Sequence, residues 1–260
     1  MNKIVVYTAI FNDYDWLKDP VHVPDGIDFI CYTDSDKLHS NIWKVVKIDT
    51  KDHSPSLLNR EIKLLYPYTV LEEYDYSMYV DGSIMIKGNV MEFLCKYITD
   101  DLVMMNFRHP QNDCLFEEIR RCILRGNADP VMLQKQIDDY RKAGIPEHLG
   151  LSDNKVILRN HHSAFGKKLM DEWYSHVINY SGRDQTCLSY VLYMNHVKYS
   201  FFEESIEKNP FFETWPHNTV EWYIRYWRHF KWFCQRHRLL EGIISWVDRV
   251  IKPWLLARIK

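Results

Sequence analysis

The sequence lacks an apolar run long enough to cross a lipid bilayer. No stretch of its 260 residues approaches the roughly 20 apolar residues of a membrane-spanning helix. The apolar run near Met1 is also too short for a signal peptide, and it predicts a first strand instead. Internal repeats and low-complexity tracts are absent as well. These absences favour a soluble globular protein over a membrane-spanning or disordered one.

Paired cysteine motifs are the second absence. The sequence has no C-x-x-C pair and no spacing typical of a zinc finger, which indicates reduced and mostly buried thiols in a cytosolic protein. The six scattered cysteines are Cys31, Cys95, Cys114, Cys122, Cys187 and Cys234. We therefore expect a cytoplasmic protein, with room for contact with the inner face of a membrane.

The composition is that of a large domain with an appendage. Hydrophobic residues make up 46% of the chain and charged residues 26%, which is ordinary for a globular protein of this length. The net charge of −2 conceals an uneven distribution, because the last forty residues are basic and the remainder is correspondingly acidic. We expect a domain over residues 1–205 and a separate basic tail over residues 206–260.

Strands and helices alternate over the first two-thirds of the chain. Short apolar runs predict strands at Lys3–Ala9, Ile27–Thr33, Trp43–Ile48, 76–80, 84–86, Asp101–Phe107, Lys155–Asn160 and Val197–Phe202. Helical periods and caps predict helices at Ser56–Tyr66, Asn89–Tyr97, Cys114–Arg125, Pro130–Lys142, Phe165–Tyr180 and 181–195. This alternation predicts the α/β class, with helices flanking a sheet.

The segment Tyr76–Ser83 contains the main candidate for a ligand-binding residue, Asp81. Tyr76-Ser-Met-Tyr-Val leads directly into Asp81-Gly-Ser83, so we expect Asp81 where a buried strand reaches the surface. A carboxylate there suits a hard cation such as Mg²⁺ or Mn²⁺, and the adjacent glycine would let a diphosphate approach the backbone. Asp-Gly is also a common turn dipeptide, so a plain turn aspartate is the alternative.

Polar residues follow several other predicted strands. Ligands of open α/β sheets bind outside the carboxyl ends of the strands, which makes the loop 11–16 and Asp34 candidates for ligand contact. Arg60 and Lys63 lie three residues apart on one helix face and could hold a diphosphate, although a solvated helix face can carry such a pair too.

Arg183-Asp184-Gln185 stands at a predicted helix start. Asp184 could simply complement the helix dipole there, or the three side chains could converge on a substrate. The residues alone leave both interpretations open.

The C-terminal tail combines positive charge with aromatic surface. Between Trp222 and Lys260 only Glu241 and Asp248 are acidic. Nine cations lie in this stretch: Arg225, Arg228, Lys231, Arg236, Arg238, Arg249, Lys252, Arg258 and Lys260. Such helices could bind an anionic membrane surface or pack on the domain, and nucleic acid is the weakest interpretation because no nucleic-acid motif accompanies the charges.

An ordered set of short motifs carries a family resemblance. The set comprises Tyr7-Thr-Ala-Ile-Phe11 with Tyr14-Asp15, Phe29-Ile-Cys-Tyr-Thr-Asp34, Arg60-Glu-Ile-Lys63 with Pro67, Tyr79-Val-Asp-Gly-Ser83, His109-Pro110, Gln136 with Tyr140, and Arg183-Asp-Gln185. Over roughly residues 3–205 the chain resembles the glycosyltransferase-like domain of plant mucilage and pollen-tube proteins, whose bacterial relatives are associated with capsule and surface-polysaccharide loci. The tail lies outside the resemblance.

The resemblance implies a GT-A-like (Rossmann-like) fold and a set of donor contacts. Asp81 would bind Mn²⁺ or Mg²⁺, and because Ser83 stands where a standard Asp-x-Asp motif has its second carboxylate, His217 could complete the site. The implied donor-binding residues are Thr8, Ala9, Asp34, Arg60, Lys63, Asp81 and Ser83.

The resemblance also implies catalytic residues. Asp184 is the candidate base, Arg183 and Gln185 would position donor or acceptor, and Gln185 could instead face the anomeric carbon. Arg108 and His109 would lie on the acceptor side.

The function implied is that of a hexosyl- or glycuronosyltransferase. It would move a sugar from a nucleotide-sugar donor to a surface-polysaccharide or lipid-linked glycan acceptor. From its composition, the tail would lie on the inner leaflet of the membrane, and no nucleic-acid partner is expected. Two alternatives stay open: a nucleotidyltransferase or sugar-phosphate hydrolase on the same fold, and a catalytically silent module that binds nucleotide or glycan.

Overall fold

A computed structural model describes residues 2–50, 53–218 and Phe230. The strands are Ile4–Ile10 (β1), Ile27–Thr33 (β2), Lys44–Lys47 (β3), Tyr76–Val80 (β4), Ile84–Ile86 (β5), Met104–Arg108 (β6), Ser152–Asn160 (β7) and Phe212–Thr214 (β8). The α-helices are Pro55–Leu65 (α1), Val90–Tyr97 (α2), Leu115–Arg125 (α3), Pro130–Lys142 (α4), Gly166–Asn179 (α5) and Leu188–Met194 (α6). Two 3₁₀ turns span Tyr66–Tyr68 and Asp184–Thr186.

The central sheet is mixed and has the strand order β3-β2-β1-β4-β7-β6. β1 pairs in parallel with both β2 and β4, whereas β7 is antiparallel to β4 and to β6. The chain order reverses at β1, because β2 and β3 lie on one side of it and β4 on the other. This reversal opens a crevice beyond the carboxyl ends of the parallel strands, where α/β folds bind ligands.

Helices cover both faces of the sheet. Alternate residues of β1 point in opposite directions, so Val6 contributes to the core beneath α2 and Val5 to the core beneath α1 and α5. Phe93 of α2 and Trp173 of α5 are fully buried at the centres of these two layers. A third cluster joins α3 to α4. The predicted α/β sheet flanked by helices is confirmed.

The ends of several elements follow from local chemistry. Asn89 caps α2, as predicted, by accepting hydrogen bonds from the backbone N–H groups of Met91 and Glu92. Gly126 ends α3 in the left-handed conformation, with a φ of 63°. Ser54 occupies the N-cap position of α1, but its side chain makes no capping hydrogen bond.

Two predicted elements are wrong. The single helix expected over 181–195 is a 3₁₀ turn followed by α6, since Gly182 has a φ of 70° and donates to the carbonyl oxygen of Val177, which closes α5 instead. The strand expected at Val197–Phe202 forms only an isolated bridge between Phe201 and Asn106. Conversely, β7 begins at Ser152, three residues before its predicted start.

The described residues after position 205 pack on the α/β domain. β8 pairs antiparallel with β5, and Phe212 and Trp215 are buried. The division of the chain after residue 205 stays a prediction. The basic tail from Trp222 onward lies outside the described residues, apart from Phe230. Within the described part of the chain, no helix has the length and apolar character needed to span a bilayer.

Candidate active site

A cavity of about 720 Å³ opens at the carboxyl ends of β1 and β4. Its wall is formed by the loop after β1, the first turns of α1, the turn after β4, the start of β7 and the 3₁₀ turn before α6. The sequence-predicted residues that line it are Ala9, Arg60, Lys63, Asp81, Ser83, His109, Arg183, Asp184, Gln185 and His217. Residues from all along the sequence therefore meet at this edge of the sheet.

Asp81 lies where β4 ends, as the sequence predicts. Its backbone N–H donates to the carbonyl oxygen of Lys155 at 2.7 Å, which fixes the strand end against β7. Its Oδ1 accepts hydrogen bonds from the Ser83 backbone N–H at 3.0 Å and from the Ser83 hydroxyl at 2.6 Å. Burial alone would raise the pKa of Asp81, but the charge of Lys63 and the Ser83 hydrogen bonds outweigh it and lower the pKa. Asp81 is therefore a partly buried carboxylate whose ionised form is favoured.

Gly82 is required next to this carboxylate because the space is already occupied. A Cβ atom at position 82 would lie 2.9 Å from Oδ2 of Asp15 and 3.1 Å from Cγ1 of Ile10. Lys18, which is also buried, donates from Nζ to the Gly82 carbonyl oxygen at 2.5 Å. The turn is thus held from two sides, and a side chain at position 82 would force Asp15, Ile10 or the turn itself to shift.

Asp184 joins the two cations of α1. Its Oδ2 accepts a hydrogen bond from Lys63 Nζ, and its Oδ1 lies 3.5 Å from Arg60 Nε. Burial would raise the pKa of Asp184, but the charges of Lys63 and Arg60 hold the pKa well below its usual range. A carboxylate with so low a pKa is a weak base. In this geometry Asp184 orients the two cations, and its role as base stays a prediction.

The other two residues of the Arg-Asp-Gln motif also face the cavity. Gln185 donates from Nε2 to the carbonyl oxygen of Ser152 at 3.0 Å, which ties the 3₁₀ turn to the start of β7. The Nε atom of Arg183 is buried and has no hydrogen-bond partner in the described residues. Both side chains are placed where a substrate could meet them.

Three predicted residues do not line the cavity. Thr8 is buried within β1, and Asp34 accepts from the Asn12 backbone N–H at 3.0 Å, so it shapes the loop after β1. Arg108 has its guanidinium 4.2 Å from the ring centroid of Phe201. His109 does line the cavity, and burial lowers its pKa.

His217 contacts Asp15 on the far wall of the cavity. Its Nδ1 lies 3.0 Å from Oδ1 of Asp15, and this hydrogen bond raises the pKa of His217. Burial raises the pKa of Asp15. Among the described residues no group of three or more His, Cys, Asp or Glu side chains is arranged to hold a metal ion. The described residues thus offer only part of a set of metal ligands. This partial set fits a cation only if substrate phosphates supply further oxygen ligands, as is common for Mg²⁺.

Several cavity residues escaped the sequence analysis. The start of β7 contributes Asp153, Asn154 and Lys155, while α3 contributes Glu118 and Arg125. Asn59 donates from Nδ2 to the Ala9 carbonyl oxygen at 2.8 Å and so links α1 to β1. A polar Ser152-Asp153-Asn154 run directly before the apolar part of β7 was the available signal.

Family comparison decides the general class. Residues 1–217 match the family described as TOD1/MUCI70, glycosyltransferase-like domain. The chain belongs to this family. The match covers most of the sequence, confirms the predicted family and supports glycosyltransferase activity as the general class.

Other comparisons add less. No curated protein matches the sequence. Among solved structures, the apo WbbM bifunctional glycosyltransferase is similar, with a TM-score of 0.46 and 11% sequence identity. That alignment covers 76% of this chain and 38% of the WbbM chain.

Proposed function

We propose that this glycosyltransferase-family protein takes a nucleotide-sugar donor in the cavity at Asp81 and transfers the sugar to a surface-polysaccharide or lipid-linked glycan. The observation that carries the proposal is the cluster of Asp81, Lys63, Arg60 and Asp184 at the carboxyl edge of the sheet. A volume of about 720 Å³ is within the range of cavities that hold small ligands and cofactors.

The two cations of α1 suit the departing group. When the bond between the anomeric carbon and the phosphate oxygen breaks, negative charge develops on the nucleoside diphosphate. Lys63 and Arg60 are already oriented by Asp184 toward this space, so little reorganisation is needed to stabilise that charge. Donor phosphates would share these cations with Asp184.

Transfer also needs control of the acceptor. The acceptor hydroxyl must lose its proton as its oxygen bonds to the anomeric carbon and the bond to the departing phosphate oxygen breaks. Asp184 is the predicted base that takes this proton, whereas Gln185 could face the anomeric carbon instead. His109 and the start of β7 line the same cavity as Gln185, which supports a contact with the acceptor there.

A divalent cation is part of the proposal. Mn²⁺ or Mg²⁺ would be held by Asp81 together with donor phosphates, with Ser83 and His217 as neighbouring polar groups, and would neutralise phosphate charge. A cytoplasmic location likewise belongs to the proposal and rests on the scattered, unpaired cysteines. Contact of the basic tail with the inner leaflet rests on the tail composition alone.

Thermal-shift titration tests the donor site. The protein is titrated with nucleoside diphosphates and nucleotide sugars, each with Mn²⁺ and with EDTA. A ligand at 100 times its dissociation constant stabilises the folded state by about 2.7 kcal/mol, which gives a measurable rise in Tm. We expect one nucleotide class to produce the shift, Mn²⁺ to enlarge it, and Asp81→Asn to reduce it.

The matched control is Asp171→Asn, which removes an exposed carboxylate on α5 paired with Lys167. This variant should bind nucleotide like the wild type. A protein that shows no shift with any nucleotide would overturn the donor proposal. Nucleotide binding without sugar transfer to any glycan, in the same preparation, would identify a silent binding module.

A further inference from the structure

A second cavity, of about 360 Å³, adjoins the first. The two share four lining residues, Ser54, Ser56, Arg60 and Arg183. Beyond them the second cavity is bounded by the end of α5 and the turn that follows it, through Ile178, Tyr180, Ser181 and Gly182. Ala9, Asp81 and the other strand-end residues of the first cavity do not reach it.

The charge of the second cavity is entirely positive. Its described lining includes Arg60 and Arg183 and no acidic side chain. The first cavity, by contrast, is lined by Asp15, Asp81 and Asp184 in addition to its cations. An anion would therefore meet carboxylates in the first cavity and none in the lining of the second.

Two guanidinium groups border the second cavity, and their hydrogen bonding is incomplete. The Nε atoms of Arg60 and Arg183 are buried and have no hydrogen-bond partner among the described residues. Arg60 Nε has only the 3.5 Å ion pair to Asp184 nearby. Buried polar groups in folded proteins are nearly always satisfied, so the unpaired Nε atom of Arg183 beside this cavity indicates a missing acceptor, while Arg60 Nε keeps its ion pair with Asp184.

The start of α1 adds further donors. Ser54, at the N-cap, makes no capping hydrogen bond, and the first turn of α1 contains no acidic residue. Ser54 and Ser56 are exposed into the cavity. The N–H groups of a first helical turn and the helix dipole both favour an anion at this position.

We propose that the second cavity binds an anionic group of the acceptor, a phosphate or a carboxylate. This inference rests on the proposed transferase function. The acceptor, rather than the donor, is assigned here because, apart from the shared Arg60, the second cavity touches none of the residues that would hold the nucleotide. An acceptor anchored there would extend past the two arginines toward Asp184 and Gln185.

Inorganic phosphate is the probe for the binding test. Its affinity is measured by isothermal titration calorimetry on the full chain, wild type and Ser56→Asp. The substituted carboxylate at the second position of α1 complements the helix dipole, so the fold is preserved, while it repels a bound anion. We expect phosphate affinity to fall roughly tenfold or more, which is about 1.4 kcal/mol.

Ser200→Asp is the matched control, because Ser200 is exposed and lines neither cavity. It should bind phosphate like the wild type. Equal phosphate affinity in wild type and Ser56→Asp, or no phosphate binding by the wild type, would overturn the proposal.

A second arm separates acceptor from donor. The phosphate titration is repeated with a nucleoside diphosphate saturating the first cavity. Phosphate affinity that persists supports an acceptor subsite, whereas complete competition assigns the anion to the donor and overturns the inference. Because nucleotide binding is measured independently, a protein that binds nucleotide but not phosphate loses only this inference and keeps its proposed donor site.

Discussion

Two buried cations, Arg159 of β7 and Lys63 of α1, are joined through the Lys63 backbone, but their side chains have different surroundings. Arg159 of β7 is fully buried among neutral groups: it donates to Tyr7 Oη at 3.0 Å, to the Lys63 carbonyl oxygen at 2.9 Å and to Met170 Sδ at 3.3 Å. Lys63 instead pairs with Asp184 and lies 5.0 Å from the ring centroid of Tyr79. One cation is enclosed by the core, and the other borders the cavity.

The difference assigns a positioning role to Arg159, whereas the Lys63 side chain borders the cavity. Arg159 binds the backbone of Lys63, and Tyr7 Oη also donates to the Lys63 carbonyl oxygen, at 2.8 Å. These bonds fix the backbone from which the Lys63 side chain extends. The positive charge of Lys63 is neutralised by the Asp184 carboxylate at the cavity wall. A more negative ligand bound there could replace part of this interaction.

The largest expected effect comes from Asp184→Asn. The change leaves the buried Lys63 and the partly exposed Arg60 without the Asp184 charge, and loss of one partner of a buried ion pair costs about 3–5 kcal/mol. Urea unfolding measures the loss. The double variant Asp184→Asn with Lys63→Met should recover part of it; if the two losses simply add, the pair is not coupled as described.

Arg159→Met should cost less stability and spare the chemistry. It removes three hydrogen bonds but fills much of the volume, so we expect a loss of about 2–3 kcal/mol. Nucleotide affinity, measured below the unfolding transition, should change only slightly. A loss of affinity larger than that of Asp184→Asn would reverse the roles assigned to the two cations.

Acid should weaken the Lys63–Asp184 contact and leave the Arg159 contacts intact. The folded-state pKa of Asp184 is lowered, so its contribution to stability is present above the unfolded pKa of about 4 and is lost as pH falls toward the folded value. Between pH 4 and pH 2 the wild type should lose up to about 1.4 kcal/mol per pH unit more than Asp184→Asn. Parallel urea-midpoint curves for the two proteins would contradict this.

The smallest effect is expected from Asn89→Ala, far from both cations. It removes the cap of α2, whose side chain accepts from two backbone N–H groups, and should cost about 1 kcal/mol. Nucleotide affinity should be unchanged. This variant calibrates how much of a change in binding arises from a general loss of stability.

Local patterns predicted the sheet well because its strands are short apolar runs. Ile27–Thr33 was predicted with its observed ends, and Asp81 lies where its strand was expected to surface. The three-residue β8 carries too few residues to show a period, and the strand expected at Val197–Phe202 packs against β6 by a single bridge instead.

The site was predictable in its residues but not in its contacts. The Arg-Asp-Gln motif indicated a functional turn, but Asp184 lies in a 3₁₀ turn and pairs with Lys63, 121 residues earlier in the chain. No local periodicity records such a pairing. The walls formed by α3 and by the start of β7 depend on the same kind of long-range contact.

Because β7 runs antiparallel to β4, the end of β4 and the start of β7 lie at the same edge of the sheet. β4 ends there with Asp81, whereas β7 begins there with Ser152, Asp153 and Asn154. The loop that precedes β7 can therefore change length or composition without moving the carboxylate that ends β4. On the proposed function, the acceptor side of the cavity and the carboxylate of Asp81 belong to separate segments of the chain and can change separately.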